Sequence, residues 1–200
     1  MTDCGCKSPE VRTAEERRVL SIALALNAAM AVIGGVAGWI GQSTGLLADG
    51  LDMLADAAAY SIALLAIGRT ALFKIRAATL SGTILLVLGV GILFEVGRRL
   101  LYGADPVSEW MIGTAMLSLV VNLTVLRLLA PMKSGDVHLR ATWIFTRADV
   151  VANLGVILAG LLVLWLRVPY PDYAIGALIG LYVIKEAIEI LRDARSEANE

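Results

Sequence analysis

Residues 46–58 read LLADGLDMLADAA, and this stretch decides what kind of chain it is. Three carboxylates, Asp49, Asp52 and Asp56, sit among neighbours that are almost all apolar. At about 100° per residue they fall within roughly a 60° arc, with Asp52 and Asp56 on adjacent turns of one helical face. Such a helix carries a single acidic stripe on an apolar cylinder.

The rest of the chain makes that cylinder a membrane helix. The 200 residues are 58% hydrophobic, with a mean hydropathy of +0.76, well outside the range of soluble domains. Charge-free runs occur at 19–48, 57–68, 77–94, 110–126, 150–166 and 173–184. A spanning helix needs roughly 17–25 mostly apolar residues. The runs therefore predict six spans, near 19–41, 47–68, 78–100, 109–130, 141–166 and 171–191. The expected fold is an all-α membrane protein of six transmembrane helices, 19–192, between a cytoplasmic tail at 1–18 and a short one at 193–200.

Orientation follows from Lys and Arg, which favour cytoplasmic loops. With both termini inside, the inner segments hold Lys7, Arg12, Arg17, Arg18, Arg69, Lys74, Arg76, Lys133, Arg140, Arg192 and Arg195, and the outer ones only Arg98, Arg99 and Arg167. The expectation is N-in and C-in. A signal peptide is not the expected reading of the first span, because its apolar run far exceeds an h-region and the leader carries four acids. The net charge of −1 gives no reason to expect a nucleic-acid partner; the expected partner is the lipid bilayer.

Cys4 and Cys6 are the only cysteines. In a reducing cytosol a structural disulfide is not expected, while a Cys-x-Cys pair offers thiolates to a soft metal such as Zn²⁺ or Cu⁺. Small residues at spacing four, Gly34/Gly38 and Gly176/Gly180, predict close helix approaches. Each three-helix half opens with a span carrying Asn (Asn27, Asn122) and continues with one carrying acid (Asp56, Asp149). An inverted repeat of this kind is one way transporters build a site at mid-membrane.

An Asp at the centre of a spanning helix costs on the order of 2.5–3.5 kcal/mol on insertion scales, so these carboxylates must face one another, a partner or water. Clustered carboxylates around a cavity suit divalent cations, and protons compete for the same oxygens. In the fifth span Asp149 and Asn153 stand at i, i+4 and form a second polar stripe. The geometry suggests one ion held between the second and fifth spans, with Asn153 as a carbonyl ligand or a helix–helix hydrogen bond. Asp49, nearest the outer end, is a further candidate ligand or a loop-bonding acid. His138, the sole histidine, lies in the loop PMKSGDVHLR beside Asp136, where it and the two cysteines are candidates for capturing a cation on the cytosolic side.

At these residues the chain resembles the cation diffusion facilitators. The stretch from Asn27 through GWIGQSTGLLADGLDMLADAAAY is similar to their first two spans, with Asp52 and Asp56 at the His/Asp-x-x-x-Asp pair, and HLRATWIFTRADVVANLGVILAG is similar to their fifth. The resemblance covers about residues 19–192. It implies export of a divalent cation from the cytosol driven by inward proton flow, with Asp52, Asp56 and Asp149 as ligands of a four-coordinate site, and location in a bacterial inner membrane. The transported ion, with Zn²⁺ first and Cd²⁺, Co²⁺, Fe²⁺ and Mn²⁺ as alternatives, would be cargo and not a resident cofactor. Two departures stand out. Phe145 occupies the position of the fourth ligand, and the family's cytoplasmic C-terminal domain is expected to be missing, so a homodimer would form through membrane helices. A non-transporting regulatory or scaffold subunit is the alternative reading. A membrane enzyme is not expected, since no nucleophile–base pair or phosphate loop is present.

Overall fold

The structure, a computed structural model, describes residues 9–66, 71–130 and 137–198; over 9–13, 137–148 and a few single positions it describes the backbone alone. Among these residues the chain is all helix: α1 (Pro9–Ile40), α2 (Thr44–Ala66), α3 (Ala71–Tyr102), α4 (Ser108–Leu129), α5 (Val137–Leu166) and α6 (Tyr170–Glu197). Hydropathy locates each helix but misjudges where several end. α1 and α6 run on into the segments expected as tails, because those segments are rich in Glu, Arg and Ala, which favour helix without being apolar. For the same reason His138 lies in the first turn of α5 and not in a loop, as the sequence reading had placed it.

Among the described residues four helical segments are long and apolar enough to cross a membrane: Arg17–Ile40, Ile75–Tyr102, Ser108–Leu129 and Asp149–Leu166. The exceptions, α2 and α6, are the helices that carry acids within their apolar stretches: Asp49, Asp52 and Asp56 in α2, and Asp172 and Glu186 in α6.

Hairpins α1–α2 and α4–α5 pack alongside α3–α6, and α2 touches every other helix. Glycines set the closest approaches. A Cβ on Gly50 would stand 2.8 Å from the Gly35 nitrogen, one on Gly38 would stand 2.7 Å from that of Leu47, and one on Gly176 would meet Thr44 Oγ1 at 2.7 Å. α1 and α6 therefore approach α2 at backbone distance, as the spacing-four glycines predict.

Polarity is reversed relative to a soluble bundle. Large apolar side chains such as Val32, Phe94, Leu158 and Leu178 face outward, while Asn27, Asp49, Asp52, Asn122, Asp149, Asn153 and Asp172 are buried. Among the described residues the exposed tryptophans and tyrosines, Trp39, Tyr102, Trp110, Trp165 and Tyr170, all stand at the end where α1, α3 and α5 finish. Exposed Arg17, Arg18, Arg76, Arg127, Arg192 and Arg195 stand at the other. These are called the aromatic and basic ends below.

A buried carboxylate ties the aromatic end together. Asp172 of α6 accepts hydrogen bonds from Ser43 Oγ (2.5 Å), the Thr44 amide (2.7 Å), Thr44 Oγ1 (2.9 Å) and the Gly45 amide (3.0 Å). It thereby satisfies the free N–H groups that open α2, where negative charge is also favoured by the helix dipole. Ser43 completes the cap by accepting from the Leu46 amide at 3.0 Å. Nearby, Glu95 pairs with both Arg98 and Arg99, each at 2.7 Å, and Arg99 reaches the Gln42 carbonyl.

Candidate functional site

Below that latch the acids of α2 separate into two groups. Asp49 is turned to α4, where Ser118 Oγ donates to its Oδ2 at 2.9 Å. Asp52 and Asp56 are turned to α5: the Asp149 carboxylate lies within hydrogen-bonding reach of both. The single stripe expected from helical spacing is thus shared between two neighbours. Among the described residues no three His, Cys, Asp or Glu side chains close around one point; Asp149 bridges the other two.

Several buried polar atoms of the interior lack partners. Asp149 Oδ2 and Asn153 Oδ1 are buried without a hydrogen bond, and so are Asn27 Oδ1 of α1 and both amide atoms of Asn122 on α4. Asn153 spends its Nδ2 on the Asp149 carbonyl one turn back, at 2.5 Å, which leaves its carbonyl oxygen free. Asn27 likewise donates to the Ala23 carbonyl at 3.0 Å. Buried polar atoms are ordinarily satisfied, and leaving one unpaired costs about 1–3 kcal/mol. An interior with this many free oxygens, next to three carboxylates, is built to accept a polar guest.

A fourth acid belongs to the same region. Glu186 of α6 is half-buried, lies within electrostatic range of Asp52, Asp56 and Asp149, and has the Tyr182 hydroxyl within hydrogen-bonding reach. Sequence reasoning passed over it because VIKEAIEILRDAR reads as the charged end of a span; the signal was its place one turn after Tyr182, on the flank of the Val183/Ala187 core face. Asp172 was also missed, since its partners are 127 to 129 residues away.

The remaining sequence candidates lie elsewhere. Cys4 and Cys6 are outside the described residues. Of His138 and Phe145 only the helical backbone of α5 is described, with His138 eleven residues before Asp149 and Phe145 one turn before it.

Fold and site together define a helical membrane protein that passes the bilayer several times and encloses acids and amides contributed by different helices. Residues 20–197 match the cation efflux transmembrane domain, and the chain belongs to the cation efflux family. It is 30% identical over 189 residues to the metal cation efflux system protein CzcD of Cupriavidus metallidurans, covering 88% of this chain and 60% of that one. It is 22% identical to a cadmium, cobalt and zinc/H(+)-K(+) antiporter of Bacillus velezensis (89% and 61% covered) and 26% identical to the zinc transporter ZitB of Escherichia coli (90% and 62% covered). The chain thus spans about 60% of the length of these curated relatives.

Proposed function

We propose that this protein exports a divalent transition-metal ion from the cytosol in exchange for protons, with Asp52, Asp56 and Asp149 as the cation ligands and Asn153 contributing its free carbonyl oxygen. The observation that carries the reading is the buried contact of Asp149 with both acids of α2. Carboxylates this close in an apolar medium repel strongly when charged. Either a divalent cation or protons removes the repulsion, so the site alternates between the two loads. Exchange of metal for protons is then a property of the donor set itself.

In this reading all six helices span the bilayer and both termini face the cytosol. α2 and α6 are spans despite their charges, because those charges are turned inward. The names of the relatives support a cargo of the zinc, cadmium and cobalt class. Alternating access follows if the aromatic end, latched by Asp172, is the closed side of this conformation.

The test is flux. Purified protein in liposomes carrying a metal-sensitive dye and a pH gradient is expected to move at least one of Zn²⁺, Cd²⁺, Co²⁺, Fe²⁺ and Mn²⁺. Asp52→Ala, Asp56→Ala and Asp149→Ala are each expected to reduce that flux to the protein-free baseline. Absence of flux for every metal would replace this reading with a non-transporting subunit, and activity surviving in Asp149→Ala would break the site between α2 and α5.

A further inference from the structure

Resting on that reading, we infer that Glu186 is the fourth carboxylate of the site, that the cation is held by oxygen alone, and that the site consequently discriminates less than a nitrogen- or sulfur-containing one between Zn²⁺ and harder divalent cations such as Mn²⁺.

Depth is the first support. Ile175 of α6 packs where two glycines leave room: a Cβ on Gly45 of α2 would lie 2.9 Å from it, and one on Gly155 of α5 would lie 2.7 Å from it. The three helices are therefore pinned at one level, and depth toward the basic end can be counted from there. At 1.5 Å per residue, Asp149 lies about 9 Å and Asp52 about 10 Å below that level, while Asp56 and Glu186 both lie about 16 Å below it. Four carboxylates from three mutually packed helices thus occupy a layer little more than one helical turn thick. Glu186 stands three turns after Ile175 on the same face of α6 and within electrostatic range of the other three, and Tyr182, one turn back on the same helix, is placed to steady it.

The second support is an exclusion of nitrogen and sulfur. The chain holds one His and two Cys. His138 is eleven residues from Asp149 along α5, about 16 Å on the helix axis. Cys4 and Cys6 precede α1, which begins at Pro9 and runs eighteen residues, about 27 Å, before Asn27. Among the described side chains no His or Cys stands in the layer of the acids.

What remains is carboxylate and amide oxygen, including the unpartnered Asp149 Oδ2 and Asn153 Oδ1. Zn²⁺ sites favour imidazole and thiolate among four ligands, whereas carboxylate and carbonyl donors suit Mn²⁺ and its harder neighbours. Because intrinsic affinity rises from Mn²⁺ toward Zn²⁺ at any site, the preference is visible as a narrowed Zn²⁺-to-Mn²⁺ ratio, and the extra negative charge of Glu186 is what narrows it.

The experiment is equilibrium binding of radiolabelled Mn²⁺ and Zn²⁺, each alone, to the full-length protein in nanodiscs. Glu186→Gln is expected to weaken Mn²⁺ about tenfold or more, the scale on which supporting groups act at metal sites, and to weaken Zn²⁺ less. Glu186→Asp should keep most of the Mn²⁺ affinity. Glu186→His supplies a nitrogen donor and is expected to strengthen Zn²⁺ while weakening Mn²⁺, a gain that misfolding cannot produce. Unchanged Mn²⁺ binding and an unchanged metal ratio in both Glu186→Gln and Glu186→His, with binding lost in Asp149→Asn, would overturn the role of Glu186 and leave the three-carboxylate site standing. Binding that also survives Asp149→Asn would remove the site altogether.

Discussion

Asp49 and Asp52 are three residues apart on one helix, yet their surroundings assign them different work. Ser118 gives Asp49 a hydrogen bond to a neighbouring helix, a need that an amide oxygen would serve as well. Asp52 faces the bridging Asp149, and in the proposed site an amide there would not replace a charge-bearing ligand. Asp49→Asn is therefore expected to change metal affinity by no more than the roughly 1 kcal/mol of one altered hydrogen bond, whereas Asp52→Asn abolishes binding. Metal titration of the two variants side by side checks this, and equal losses would return Asp49 to the site. Spacing alone could not separate these residues, because 3.6-residue periodicity reports the face of a helix and not which neighbour that face meets.

At the scale of the element, α2 shows how far a local reading extends. Its acidic stripe and its small-residue contacts are written in consecutive residues and are legible there. What holds it is not, because Asp172 arrives from α6, more than a hundred residues away. Asp172 contributes a carboxylate to an end of α2 that otherwise leaves several donors buried and unpaired. Asp172→Asn keeps the shape but turns one acceptor into a donor facing Ser43, Thr44 or Gly45. The expected cost is about 2–3 kcal/mol, the value of a buried charge-assisted hydrogen bond, seen as a lower thermal midpoint in detergent. The glycines give a matched pair of tests. Gly176→Val drives a side chain into Thr44 and is expected to destabilise by about 1–3 kcal/mol, as overpacking does. Gly97→Ala meets nothing within 4 Å and is expected to be neutral or to stabilise by up to about 1 kcal/mol through helix propensity. Equal melting shifts for the two would mean that α2 and α6 are not in backbone contact.

Across the whole molecule, charge is arranged by depth. Interfacial aromatics gather at one end, exposed arginines at the other, and the acids lie between them on the inward faces. Two of these signals bear on orientation in different ways. Aromatic residues favour either membrane interface, so they mark where the bilayer ends without saying which side is which. Arginine does distinguish the sides, since an excess near the ends of spans belongs in the cytoplasm. The aromatic end carries Arg98, Arg99 and Arg167, but Glu95 pairs with the first two, leaving little positive charge there to oppose the bias. The basic end should therefore face the cytosol. In a background of Cys4→Ser and Cys6→Ser, Asp105→Cys, between α3 and α4, is expected to react with a membrane-impermeant maleimide in intact cells. Ser196→Cys, near the end of α6, should react only after the membrane is opened. The reverse pattern would invert the molecule, and the metal captured at the basic end would then be coming from outside the cell, making the same site an importer's.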